Sequence, residues 1–302
     1  GILNRVVERI AGTPESSGVI DNVPGDIAQF NQPWDVIING NNLYITDLGN
    51  NAIRRIELLS GHFVVNAIAG EPGSFEDSID GIGSAARFSA LRGITTDGTN
   101  LYMADGHAIR MLVIETSEVI TLAGGLDTEI GAGDNDGNGL TARFNNPEDI
   151  VVDGNRLYVA DSGNNMIRML TLPGDLNQLI TDGTFDRGTI IVETIAGEAG
   201  NPSPQDGFDT DARFSFPRGI AIFDGYLYIA DTGNHTIRRM DLTTREVITL
   251  AGSFGQMGFV VKEEGAVGES ARFSSPQGIV VDAEGNSIYV TNTNLNHIVV
   301  IR

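Results

Sequence analysis

Apolar residues recur along this chain in short clusters separated by polar turns, and within many clusters they alternate with polar ones at the two-residue period of a half-buried strand. Residues 217–252 show the unit most clearly. Gly219-Ile220-Ala221-Ile222-Phe223 is apolar, and Asp224-Gly225 turns the chain. Tyr226-Leu227-Tyr228-Ile229-Ala230 is aromatic and β-branched, and Asp231-Thr232-Gly233-Asn234 turns it again. Thr236-Ile237-Arg238-Arg239-Met240-Asp241-Leu242 alternates, and Glu246-Val247-Ile248-Thr249-Leu250-Ala251-Gly252 follows after a short connection. The pattern predicts four antiparallel strands joined by tight Asp-Gly and Gly-Asn turns.

The unit is repeated. Ile10-Ala11-Gly12 returns as Ile68-Ala69-Gly70, Leu122-Ala123-Gly124, Ile195-Ala196-Gly197 and Leu250-Ala251-Gly252, and the recurring phenylalanines are Phe30, Phe88, Phe144, Phe214 and Phe273. A period of this size marks a repeat architecture, in which one sheet buries its faces only by packing on the next. The chain is therefore expected to be all-β, a five-bladed β-propeller of four-stranded antiparallel blades forming a single domain over residues 1–302. The blades are expected at 33–70, 91–124, 147–197 with an insertion at 173–187, 217–252 and 276–302. The last blade shows three strands, and residues 1–12 read as an outer strand lacking its own first three. Pairing the two would close the ring and remove exposed strand edges.

Asp161-Ser162-Gly163-Asn164-Asn165-Met166-Ile167-Arg168 and Asp231-Thr232-Gly233-Asn234-His235-Thr236-Ile237-Arg238 resemble the signature of NHL repeats. Asn146-Pro147-Glu148-Asp149-Ile150 and Phe216-Pro217-Arg218-Gly219-Ile220 fit the family's strand start. The resemblance runs over essentially the whole chain. It implies a propeller, often six-bladed, so a six-bladed arrangement is the alternative. It implies little about function, because NHL propellers serve as protein-, RNA- and glycan-binding modules and, in some relatives, as enzymes.

Charge narrows those classes. Of 302 residues, 40 are acidic and 19 basic, a net charge of −21, and Lys262 is the single lysine. Such a surface repels nucleic-acid backbones and anionic lipids, so no nucleic-acid partner is expected. No apolar run is long enough for a membrane helix, and no membrane insertion is expected. With no cysteine, the redox compartment is not legible. The chain opens on Gly1, which reads as a processed product or an excised piece of a larger protein or assembly. The acidity and the propeller together suggest an extracellular, cell-surface or periplasmic location.

Residues that repeat in every copy are expected to build the fold. Asp47, Asp105, Asp161 and Asp231, with Asn292 in the last copy, read as Asx-type turn residues. Arg87, Arg143, Arg213 and Arg272 are expected to tie their loops to carboxylates or carbonyls. Arg54, Arg110, Arg168 and Arg238 are expected to face solvent or bridge blades. Asp134-Asn135-Asp136-Gly137-Asn138-Gly139 matches the start of a calcium loop, with Asp134, Asp136 and Asn138 as candidate ligands for Ca2+. Asn145 stands where the bidentate Glu should complete the cage. His107 and His235 share one turn position, no histidine pair has metal-ligand spacing, and no nucleophile elbow occurs. Asn234-His235-Thr236 is a glycosylation acceptor sequence.

Residues that differ between copies are the better candidates for recognition. The pairs opening the innermost strands are Trp34-Asp35, Arg92-Gly93, Glu148-Asp149, Arg218-Gly219 and Gln277-Gly278. An aromatic, arginines and carboxylates at one mouth have the composition of recognition hot spots. The reading favoured is a non-catalytic interaction module holding a protein or glycan partner through Trp34, Asp35, Arg92, Glu148, Asp149, Arg218 and Gln277. The rival is a metal-dependent lactonase- or lyase-like propeller, with Asp35, Glu148 and Asp149 holding a divalent cation in the channel.

Overall fold

A computed structural model describes residues 8–58, 63–73, 78–125, 131–256, 258, 268 and 271–302. Five antiparallel sheets follow one another along the chain. The first holds β1 (Val23–Pro24), β2 (Pro33–Asn39), β3 (Asn42–Asp47), β4 (Ala52–Glu57) and β5 (Val64–Ala69). The second holds β6 (Gly81–Ile82), β7 (Leu91–Thr96), β8 (Asn100–Asp105), β9 (His107–Val113) and β10 (Glu118–Gly125). The third holds β11 (Gly137–Asn138), β12 (Asp149–Asp153), β13 (Arg156–Asp161), β14 (Met166–Thr171) and β15 (Ile191–Gly197). The fourth holds β16 (Gly207–Phe208), β17 (Pro217–Phe223), β18 (Tyr226–Asp231), β19 (Thr236–Asp241) and β20 (Glu246–Ala251). The fifth holds β21 (Pro276–Val281), β22 (Ile288–Asn292) and β23 (His297–Ile301). The fold is a five-bladed β-propeller. The residues group into two compact units, 1–101 with 111–120, and 102–110 with 121–302.

The strands fall where alternation and turn residues predict them, but the blades are not four-stranded. In the first four, two residues of the polar loop before each phenylalanine pair with the outermost strand, as Gly207 and Phe208 do with Val247 and Glu246. The loop folds back because an open outer edge leaves backbone donors and acceptors unpaired. The last blade has three strands among the described residues. Residues 1–7 of the 1–12 segment expected to close it lie outside the described residues. Residues 8–12 are in no strand; Ile10 and Ala11 instead pack against Ala28, Ile45, Ile56 and Val65 of the first blade, where their apolar side chains leave water.

In the second unit the blades stack face on face. Tyr158, Ile167 and Met169 of the third blade share a core with Ile220, Leu227, Ile229 and Met240 of the fourth. Ala230 and Ile237 of the fourth share one with Phe273, Ile288 and Val290 of the fifth. The Ile-Ala-Gly repeat ends each outer strand on a glycine for a reason seen at Gly197, which has φ +93. A Cβ there would lie 2.4 Å from the Asn165 carbonyl oxygen and 3.2 Å from the Phe214 ring. Only glycine takes that backbone and allows that approach.

The insertion at 173–187 is not a plain loop. It forms a short helix, α1 (Leu176–Thr181), with Leu176 buried. Its Arg187 then donates to the carbonyls of Gly124 and Gly139, each at 2.9 Å. The insertion thus meets the long Asp134–Gly139 loop at this point rather than lying apart from it.

Candidate functional site

The recurring charges form the blade interiors. Arg54, Arg110, Arg168 and Arg238 are fully buried, which corrects the expectation that they face solvent. In the fourth blade Arg238 donates through Nη1 to Asp231 Oδ2 (2.8 Å) and the Arg213 carbonyl (2.9 Å). Through Nη2 it donates to the Gln205 carbonyl (2.9 Å) and Asp206 Oδ1 (2.6 Å). Its guanidinium carbon lies 5.2 Å from the centre of the Phe214 ring. Asp231 Oδ1 takes the Ser215 amide, and Oδ2 also takes Asn234 Nδ2. Arg168 repeats the set with Asp161, Asp136 and Phe144, as does Arg54 with Asp47, Asp21 and Phe30. The repeated Asp, Asn, Arg and Phe are one buried polar unit, with a charge kept only because its partners are built in. Burial pushes Asp161 and Asp231 up to about 6 against the pull of Arg168 and Arg238. In the last blade Asn292 replaces the aspartate and Val299 stands where the arginine would be, so the pair is lost as a pair.

The loop arginines behave as expected. Arg143 donates to the carbonyls of Leu140 and Ala142, Arg87 pairs with Glu71 and Arg213 with Glu198. His107 and His235, which share one turn position, each hold the loop that enters the following blade. Their Nδ1 atoms accept the amides of Asn146 and Ser275, each at 3.2 Å, and Asn165 Oδ1 does the same for Phe216 at 2.8 Å. Each staples one blade to the loop entering the next. Burial holds both histidines below the usual imidazole range. Asn234 and Thr236 of the glycosylation sequence are buried, with Asn234 Nδ2 bonded to Asp231 and the Ser203 carbonyl.

In the calcium-like loop Asp136 faces Arg168. Asp136 Oδ1 accepts from Arg168 Nη2 (2.8 Å) and Thr194 Oγ1 (2.9 Å), and Asn138 Oδ1 accepts the amides of Leu140 and Thr141. Among the described residues no three acidic or histidine side chains gather to hold a metal.

The strand-opening residues divide into two kinds. Asp35 Oδ1 accepts the Val36 amide and Oδ2 the Ile94 amide, at 2.8 and 2.9 Å. Asp149 does the same with Ile150 and Ile220, both at 2.8 Å. Each carboxylate thus spans from its own inner strand to the next blade's. Burial raises the Asp35 carboxyl, and the two amides pull it back. Where the next inner strand comes closer, the position is glycine: a Cβ on Gly219 would sit 2.0 Å from the Gln277 carbonyl oxygen. Glu148 is buried, while Arg218 and Gln277 are half-buried.

Trp34 and Arg92 are the other kind. Trp34 is 41% exposed, and the Arg92 guanidinium carbon lies 5.0 Å from the centre of its ring. Trp34 is the extra residue of a bulge, between Pro33 paired with Asp47 and Asp35 paired with Thr46. A bulge re-aims the side chain it carries. Composition alone could not show this, since the register slip involves one residue.

A protein-family model described as NHL repeat matches residues 144–168 and 214–240. NHL repeat-containing protein 2 of Homo sapiens is 33% identical over 144 residues, covering 47% of this chain and 17% of that protein. The Gallus gallus protein of the same name is 26% identical over 302 residues, covering 91% and 39%. Among solved structures, an auxiliary nutrient binding protein from Bacteroides ovatus superposes with a TM-score of 0.57 at 17% identity, covering 98% of this chain and 76% of that one. The chain spans less than half the length of these curated relatives.

Proposed function

We propose that this chain, a member of the NHL-repeat β-propeller family, is a non-catalytic interaction module that holds a protein partner at the start of its inner strands, with Trp34 and Arg92 as the anchor. The observation that carries this reading is the exposed Trp34–Arg92 stack. An indole held by a guanidinium is a large contact surface with little rotamer freedom left to lose, and aromatic–arginine pairs are where interface energy concentrates. It stands on β-strands rather than on a long loop, so it is positioned before a partner arrives. In the cation-in-channel alternative, which needs Asp35, Glu148 and Asp149, a cation would have to share the oxygens of Asp35 and Asp149 with the backbone amides that they already accept.

Protein and glycan arrays probed with the parent chain, Trp34→Ala and Arg92→Ala test the proposal. Protein partners should weaken roughly thirtyfold in Trp34→Ala, the equivalent of about 2 kcal/mol for losing a central anchor. Partners bound equally well by all three chains overturn the site. Partners found only among glycans, and lost in both variants, keep the site and change the ligand class.

A further inference from the structure

In the first and fourth blades an arginine stands in register with the tyrosine of the second strand, Arg55 against Tyr44 and Arg239 against Tyr228. Each is engaged locally: Arg55 pairs with Glu57 at 2.7 Å, and Arg239 lies 4.5 Å from the centre of the Tyr226 ring. At the start of the same strand an acid faces an uncharged residue, Glu57 against Asn42 and Asp241 against Tyr226. The third blade exchanges these roles. Met169 stands against Tyr158, and Arg156 faces Thr171 where the other two blades carry the acid. Asp153 closes the same hairpin without forming an ion pair with Arg156. Among the described residues the exposed Arg156 has no hydrogen-bond or ion-pair partner.

A cavity of about 360 Å3 lies at this place, between the third and fourth blades and wholly within the second unit. Met169 and Ile195 wall it on one side, and Met240 and Leu242 on the other. Its charged lining is Arg156 and Arg245, with no acid. In a chain of 40 acidic and 19 basic residues, that is a local reversal of charge, and it favours an anion. Arg245 reaches Asp209 at 3.3 Å, but both side chains are solvent-accessible, so the contact holds it weakly. Arg245 also has φ +60, a left-handed conformation that a long side chain rarely adopts. Tyr158 lines the cavity while only 2% exposed, and its hydroxyl makes no hydrogen bond among the described residues. That leaves an O–H donor for an occupant.

We propose that this cavity binds a small aromatic carboxylic acid. Arg156 and Arg245 take the carboxylate, for which the planar fork of a guanidinium is suited. The ring lies against Met169 and Met240, whose thioethers make favourable contacts with aromatic edges. The Tyr158 hydroxyl donates to an oxygen of the acid. The volume is at the small end of ligand sites, which run from roughly 300 to 1,000 Å3, and so fits a one-ring acid.

The chain has six methionines, so isotope-labelled methionine methyls report on the cavity in solution, with Met169→Leu and Met240→Leu assigning the two resonances. Cinnamate titrated into the parent chain to millimolar concentration should shift the Met169 and Met240 methyls to saturation and leave the remaining methionines in place. Arg156→Gln, a change at an exposed position, should weaken cinnamate roughly tenfold, the loss of one charge-assisted contact. Cinnamamide, of the same shape without the charge, should bind weaker by at least as much. A short peptide ending in phenylalanine is the second arm. If it shifts the same two methyls more tightly than cinnamate, the site stands and its carboxylate is a chain end rather than a free acid. Methyls of Met169 and Met240 that do not move with either ligand overturn the proposal, as does a shift of all methionines alike. Equal affinity for cinnamate and cinnamamide, or for cinnamate in the parent and in Arg156→Gln, overturns it too, because the guanidiniums would then not be reading a carboxylate.

Discussion

Replacing Arg238 by valine should lower the melting temperature by about 6 °C, and replacing Asp231 by asparagine in addition should restore more than half of that loss. Arg238 is fully buried and donates to Asp231, Asp206 and two carbonyls. Removing one partner of a buried ion pair costs about 4 kcal/mol, because the other charge is left without water or counter-ion. With an unfolding entropy of about 2.1 cal/mol/K per residue, a chain of 302 residues shifts by about 1.6 °C per kcal/mol. In the double variant no charge is stranded at position 231. Asparagine keeps the acceptor for the Ser215 amide, as Asn292 Oδ1 does for Ser274 at 2.7 Å in the last blade. The carbonyls of Arg213 and Gln205 still lack their donor, a residual of about 1–2 kcal/mol. Calorimetry of the parent, both single variants and the double gives the coupling directly. A double variant that melts at or below Arg238→Val refutes the reasoning, since the buried aspartate would then not be what makes the single change costly.

His235→Asn should keep the staple to Ser275, as Asn165 keeps its equivalent to Phe216, while removing a pH dependence. Burial lowers the folded His235, so the unfolded chain takes the proton first and stability falls as pH drops below about 6.5. The buried Asp161 and Asp231, raised to about 6, act with the opposite sign, since the folded state takes their protons first as pH falls through 6. The measurement is therefore the difference between variant and parent in urea melts at each pH, and a constant difference from pH 7.5 to 5.5 contradicts it. Asp136→Ala should lower the melting temperature equally with and without calcium, because Asp136 is a counter-ion to Arg168; a calcium-dependent rise in the parent that the variant lacks would restore the loop as a metal site.

The strands and their turns were legible because alternation, Asp-Gly pairs and the returning phenylalanines are local signals. The two-residue strands such as Gly207–Phe208 were not, since two residues carry no period. The buried arginines misled for a physical reason: a lone charge reads as surface, and only its partners, which lie up to 34 residues away as Ile20 does from Arg54, make burial possible. A signal existed in the joint loss of aspartate and arginine at Asn292 and Val299. The D-x-D-x-N-G pattern gave no sign that Asp136 pairs with Arg168, because acidic and amide turn residues that begin a calcium cage serve equally as partners of an arginine. At the candidate site, the variability of the strand-opening residues separated them from the framework. It could not separate Asp35 and Asp149, whose carboxylates are taken up by backbone amides, from Trp34, which stands 41% exposed against Arg92.

A photoreactive amino acid placed at the exposed Gln32, beside Trp34, compared with one at the exposed Asp153 at the far end of an inner strand, tests the interaction-module reading most directly. Irradiation in a lysate of the source cells should give a discrete protein adduct from position 32, suppressed by excess parent chain but not by excess Trp34→Ala, and none from position 153. Adducts from both positions alike, or an adduct at position 32 that Trp34→Ala suppresses as well as the parent does, would contradict it.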